Sequence, residues 1–271
     1  MPFSKSRFTH SFGIESFGVR IALHTTGSIS LTRLHSVLKS VLVTGVKEIS
    51  PQGLEHNFYY AWNDSGRDSL YEGDTSLVRG VARDRTLDIL GSKVRLRVAE
   101  FARDHIFVHA GVVGWRGQAI VIPGRSFTGK TTLVVELAHL GATYYSDEYA
   151  IFDKNGMVRP FAKPLSIRKG DGTGGQTDRS IESMNGRAGR IKLPVGLVLL
   201  TKFVKRPRWA PKVLTKGRGL LEVLKNTVPV RNDPALTFQI LDKVVRRATI
   251  IETSRGEAAD VASRILGLLK N

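Results

Sequence analysis

Hydrophobic and polar positions alternate at Phe17, Val19, Ile21 and Leu23, the period of a half-buried strand. Leu31, Leu34, Leu38, Val41 and Leu42 then recur at helical spacing, with Ser30 placed to cap the turn before them. Phe58–Trp62 and Ser69–Tyr71 read as strands joined by Asn63-Asp64-Ser65-Gly66, a hairpin turn. From about Ser76 to Arg103 the period is mostly helical, and Gly91 marks a break in it.

A second series starts at Ile106. Ile106–Val113 is an apolar strand, and Gly114-Trp115-Arg116-Gly117 turns it back into Gln118–Pro123, rich in β-branched residues. Strands joined so tightly pair antiparallel. Leu133, Val134, Leu137, Ala138 and Leu140 recur as on a helix, which Gly141 stops. Thr143–Phe152 reads as one strand with Asp147 and Glu148 in its middle, and Asp153-Lys154-Asn155-Gly156 turns it into Met157–Phe161. Residues 169–190, rich in glycine, arginine and small polar residues, read as a loop. Beyond them the pattern predicts a strand at Leu193–Val204, helices at about 217–227 and 233–246, a strand at Ala248–Thr253 and a helix at Glu257–Lys270. Asp233 and Pro234 open the second of those helices as cap and first residue.

Between the Gln118–Pro123 strand and its helix stands Gly124-Arg125-Ser126-Phe127-Thr128-Gly129-Lys130-Thr131, which fits G-x-x-x-x-G-K-[ST]. The spacing carries a chemistry. Glycines let backbone N–H groups wrap a phosphate chain, the lysine reaches the β- and γ-phosphates, and the hydroxyl of Thr131 suits Mg²⁺. A strand before and a helix after supply the context that the motif requires.

The 271 residues can bury one large core or two modest ones. With no cysteine there is no disulfide framework, thiol catalysis or thiolate zinc site. The amino terminus lacks the apolar core of a signal peptide and no apolar run is long enough to span a membrane, so the expectation is a cytoplasmic protein. The net charge of +17 is unevenly spread: residues 154–218 hold 16 Lys and Arg against 3 Asp and Glu, whereas residues 1–100 hold 13 against 10. Such a segment attracts anions, whether nucleotide phosphates or an acidic substrate. Few aromatic residues interleave with it, which argues against nucleic acid.

Phosphoryl transfer needs a carboxylate near the phosphates to orient or deprotonate the nucleophile, and others to hold metal. Asp147 and Glu148, one helix and one turn after Lys130, are the candidates, on a strand expected beside the loop strand. His105 and His109 are four apart, but no third ligand follows at zinc-site spacing.

Together, Val108-His109-Ala110-Gly111-Val112-Val113, Gly117, the loop from Gly124 to Thr131, and Ser146-Asp147-Glu148 resemble the HPr kinase/phosphorylase superfamily and its HPr-kinase-related branch. The likeness covers roughly residues 105–170. Phe127 stands where a glycine is usual, Glu148 where a second aspartate is usual, and Ser166 where true HPr kinases carry an acid. The resemblance implies an α/β P-loop kinase core, of the type also seen in phosphoenolpyruvate carboxykinase, with a mixed sheet and flanking helices. That core would take residues 105–271, with a basic loop over 169–218, after an N-terminal α+β segment over 1–104.

The same resemblance implies an ATP-dependent kinase that uses Mg²⁺ to move the γ-phosphate onto a hydroxyl, commonly serine, of a protein, peptide or small molecule. By position, Gly124, Arg125, Ser126, Phe127, Thr128, Gly129, Lys130, Thr131 and Thr132 would bind nucleotide, and Thr131 and Asp147 the metal. Asp147, Glu148 and His109 would stand at the reacting groups. Family members often form rings, which leaves a homo-oligomer open. A regulatory protein that binds nucleotide without catalysis is the alternative reading.

Overall fold

The structure, a computed structural model, describes residues 4–43, 45–124, 128–168 and 176–269. The chain divides into two compact units, Met1–Arg103 and Asp104–Asn271.

In the first unit β1 (His10–Ser16), β2 (Val19–Thr25), α1 (Ser28–Leu42), β3 (Lys47–Ile49), β4 (His56–Ala61), β5 (Arg67–Glu72), β6 (Thr75–Ala82) and α2 (Arg83–Phe101) follow in order. The strands form one mixed sheet in the order β3-β1-β2-β4-β5-β6. β2 and β4 are parallel, with α1 in the connection between them, and the other neighbours are antiparallel. Ile14, Ile21, Leu23, Phe58 and Leu70 from the sheet and Leu34, Leu38, Leu90 and Val94 from the helices are buried.

Three expectations fail here. The span from Ser76 begins as strand, not helix: β6 closes a hairpin with β5, and the backbone N–H of Gly80 donates to Ser69 Oγ over 3.1 Å. Gly91 does not break α2. A Cβ there would lie 2.9 Å from Val41 Cγ1, so the glycine lets α1 and α2 approach. The first helix also starts earlier than the Ser30 cap implies, with Gly27 at the cap position.

The second unit contains β7 (His105–Trp115), β8 (Gln118–Pro123), α3 (Lys130–His139), β9 (Thr143–Ser146), β10 (Tyr149–Asp153), β11 (Met157–Arg159), β12 (Leu165–Arg168) and β13 (Gln176–Arg179). It continues with β14 (Leu193–Phe203), β15 (Lys212–Val213), α4 (Lys216–Leu224), α5 (Pro234–Arg247), β16 (Thr249–Arg255) and α6 (Ala258–Leu268). Its main sheet runs β11-β10-β7-β8-β14-β16-β15, with β9 on β7. β7 and β8 pair antiparallel through the turn at Arg116 and Gly117, both at positive φ, whereas β8, β14 and β16 are mutually parallel.

The apolar run of β8 feeds two cores. Ala119 and Val121 pack with α5 residues Ile240, Leu241 and Val244, and Ile120 and Ile122 with Leu133 and Leu137 of α3 and Ile265 of α6. A strand covered by helices on both faces reads as continuous apolar sequence rather than alternation. The fold is thus mixed α/β, with two mixed sheets and flanking helices.

Thr143–Phe152 is two strands, because the chain bends at Asp147-Glu148 between β9 and β10. Both halves pair with β7, one strand removed from the loop strand β8. Within the expected loop over 169–190, β13 pairs with β12; residues 169–175 lie outside the described residues. The basic segment over 169–218 is likewise not one loop, since β13, β14, β15 and the start of α4 fall within it.

Candidate functional site

β8 ends at Pro123 and α3 begins at Lys130. The N–H of Gly124 donates to the carbonyl of His109 over 3.0 Å, which ties the end of β8 to β7. Arg125, Ser126 and Phe127 lie outside the described residues. Gly129 caps α3 in the left-handed region, φ 77°, where a side chain is disfavoured. On β7, a Cβ at Gly111 would meet Val134 Cγ2 at 2.6 Å, so this glycine lets the helix lie close against the strand.

The bend at Asp147-Glu148 is held locally. Ser146 Oγ accepts the backbone N–H groups of Glu148 and Tyr149, at 3.1 and 3.0 Å, a short polar turn that interrupts the ladder. It leaves Asp147 facing the head of α3. The Thr131 hydroxyl donates to Asp147 Oδ2 over 3.0 Å. The Tyr144 hydroxyl lies 3.1 Å from Asp147 Oδ1 and 3.0 Å from the carbonyl of Lys163, and its one proton serves either. Burial, then the charge of Asp147, keeps that phenol protonated well above its ordinary range.

Lys163 closes the cluster. Its ammonium lies 3.4 Å from Glu148 Oε2 and 3.9 Å from Asp147 Oδ1. The side chains of Lys163 and Asp147 are only 11% and 6% exposed. Burial holds the Lys130 ammonium below its ordinary range, while Asp147 and then Glu148 pull it back. Lys130 Nζ is also 3.5 Å from Thr128 Oγ1. His109 is pushed down by burial, raised by Glu148 and lowered by Lys130, so its imidazole favours the neutral form; its ring lies 4.7 Å from that of Tyr149. Shielding several ionisable groups together is poor value for stability alone, and such perturbed clusters concentrate at functional sites.

The structure therefore brings Lys130, Thr131, Asp147, Glu148 and His109 together, with Gly124, Thr128 and Gly129 in the connection before α3. Thr132, in the same first turn, is exposed. Sequence reasoning missed three residues. Tyr144 and Lys163 carry no motif, and their contacts depend on the turn after β9 and on the approach to β12. Arg255, at the end of β16, is 3% exposed; its Nη2 donates to the carbonyls of Thr128 and Gly129 at 3.0 and 3.1 Å, and its Nη1 to that of Gly256 at 3.0 Å.

The oxygen donors at the head of α3, the Thr131 hydroxyl and the Asp147 carboxylate, suit a hard cation such as Mg²⁺. Among the described residues no group of three or more His, Cys, Asp or Glu could hold a metal ion. Among the described residues, no helix is long and apolar enough to cross a membrane.

No family model matches the sequence, and no curated protein matches it. Among solved structures, the chain is similar to the HPr(Ser) kinase/phosphatase from Coxiella burnetii. The two are 13% identical over 60% of this chain and 92% of that one, with a TM-score of 0.31. This is a distant structural relation only.

Proposed function

We propose that this protein is an ATP-dependent kinase that transfers a γ-phosphate to a hydroxyl, with Gly124 to Thr132 as its nucleotide loop. The reading is carried by the 3.0 Å contact between Thr131 at the head of α3 and the shielded carboxylate of Asp147. In it, the loop amides and Lys130 bind the β- and γ-phosphates, while Thr131 and Asp147 would hold Mg²⁺, which would supply charge neutralisation at the phosphates. The acceptor oxygen attacks the γ-phosphorus as the bond to the β,γ-bridging oxygen breaks. ADP departs with that electron pair, and the hydroxyl proton passes to Asp147. Glu148 and Lys163 balance the charge of the pocket, and neutral His109 is available to accept or donate a hydrogen bond beside Glu148.

One observation favours the regulatory alternative. Lys163 lies against both acids, and a carboxylate so engaged is a weaker base. A nucleotide-binding protein without transfer would keep that arrangement permanently, whereas a kinase would displace Lys163 onto a phosphate as ATP enters.

The test incubates the purified protein with γ-labelled ATP, Mg²⁺ and a cell extract, beside a Lys130→Ala control. A labelled acceptor that disappears in the control supports the kinase. Tight ATP binding that Lys130→Ala abolishes, with no labelled acceptor and no hydrolysis, supports the regulatory reading instead.

A further inference from the structure

At the carboxyl ends of β14 and β16 the chain forms a cavity of about 130 Å³. Trp209, Pro207 and Val261 line it on the apolar side, and Ser254, Asp260 and Arg264 bring polar groups. β8, β14 and β16 are parallel and in register, Val121 beside Val198 and Val198 beside Ile250. Their carboxyl ends therefore share one edge of the sheet, where open α/β sheets take their ligands. The Gly124–Thr131 connection leaves the first of these strands, and the cavity opens beyond the other two.

A single residue ties the cavity to the loop. Ser254 and Gly256 line the cavity, and Arg255 between them sends its guanidinium to the carbonyls of Thr128 and Gly129. The two places thus stand about one arginine side chain apart. A nucleoside triphosphate has that reach, since a sugar and the α-phosphate separate its base from the β-phosphate. The chemistry also fits. Trp209 offers a broad π-face, while Asp260 and Arg264 supply an acceptor and donors for a heterocycle edge. The cavity is several times the volume of a water molecule, which gives room for a flat ring.

We infer that this cavity is the base-binding subsite, with the nucleoside base stacked on Trp209 and Arg255 holding the loop at a fixed distance from it. The inference rests on the phosphate-loop reading of Gly124–Thr131, and the experiment separates the two. Binding of ATP and of inorganic tripolyphosphate is measured by calorimetry on the full chain, for wild type, Trp209→Ala, Trp209→Phe and Lys130→Ala. Trp209→Ala should weaken ATP roughly tenfold, the scale of one lost base–aromatic stack, and leave tripolyphosphate unchanged. Trp209→Phe, which keeps an aromatic face and the packing, should recover most of the ATP affinity; this guards against a folding defect in the alanine variant. Lys130→Ala should weaken both ligands. If Trp209→Ala leaves ATP affinity intact, or lowers both affinities equally while the phenylalanine variant fails to recover ATP, the base subsite is overturned and the phosphate loop stands. If wild type binds neither ligand, or Lys130→Ala changes neither, the phosphate-loop reading falls and takes this inference with it.

Discussion

The Thr131 hydroxyl donates to Asp147 across 3.0 Å, joining the first turn of α3 to a bend sixteen residues downstream. An asparagine in place of the acid keeps an oxygen acceptor for that hydroxyl but removes the negative charge. Asp147→Asn should therefore bind ATP within a few-fold of wild type while transfer falls by on the order of 10²–10⁴. Calorimetric affinity and the rate of label transfer, measured on one preparation, check both halves. A variant with full transfer would remove Asp147 from the chemistry.

His109 should titrate below its ordinary 6.5, because burial and Lys130 outweigh Glu148. The sign follows from linkage. With the folded-state pKa depressed, the unfolded chain takes up the proton first as pH falls through about 6.5, so stability is intact above that pH and lost below it. The loss is at most about 1.36 kcal/mol per pH unit for one proton. His56 shifts the same way, through burial and then Arg97, so it contributes a separate acid limb. Imidazole NMR titration of wild type and His109→Gln checks the midpoint, and the variant should lose less stability on acidification.

At Gly111 even one methyl group collides with α3. Gly111→Ala places a Cβ 2.6 Å from Val134 Cγ2, which should cost about 1–3 kcal/mol and displace Lys130 from its acids. Adding Val134→Ala relieves the contact, so the double variant should be more stable than the sum of the single changes. Denaturant titration of the four proteins measures the coupling.

In the first unit, Asp68 is fully buried and accepts from Arg83 Nε and the Asn63 N–H, both at 2.9 Å, and from the Tyr60 hydroxyl. The Arg83 guanidinium also lies 3.4 Å over the Trp62 ring. Asp68→Ala leaves those donors without their acceptor and should cost about 3 kcal/mol, the low end for a broken buried pair because Arg83 is 21% exposed. Faster hydrogen exchange in β4 and β5, with β8 and β14 unchanged, is the expected readout.

What could be read from the sequence was local. The β8 strand, the loop letters and α3 sit within about twenty residues, and each has its own signal: a β-branched run, glycines at turn positions, a helical repeat. The β7–β8 hairpin was legible for the same reason, and so was the Asp233 cap, whose side chain accepts the Leu236 N–H. Failures came where a pairing or packing partner overrides the local pattern. Thr75–Ala82 is a strand because β5 pairs with it, and Gly91 serves a contact with Val41 fifty residues earlier.

The acids were found but misplaced. A run of uncharged residues around Asp147 and Glu148 reads as one strand, and nothing in it announces that Ser146 captures two backbone amides and bends the chain. Strand order was equally hidden, since whether β9 follows β8 or β7 depends on which edge the chain returns to. Lys163 could not be singled out, being one of many basic residues in a basic segment.

Arg255 stands more than a hundred residues beyond Thr128 and Gly129, whose carbonyls it grips. A fragment ending before β16 would retain every letter of the signature yet lose the guanidinium that pins it. Reading those letters in a truncated gene product therefore says nothing of how the backbone at Thr128 and Gly129 is held, because its restraint comes from the far end of the polypeptide.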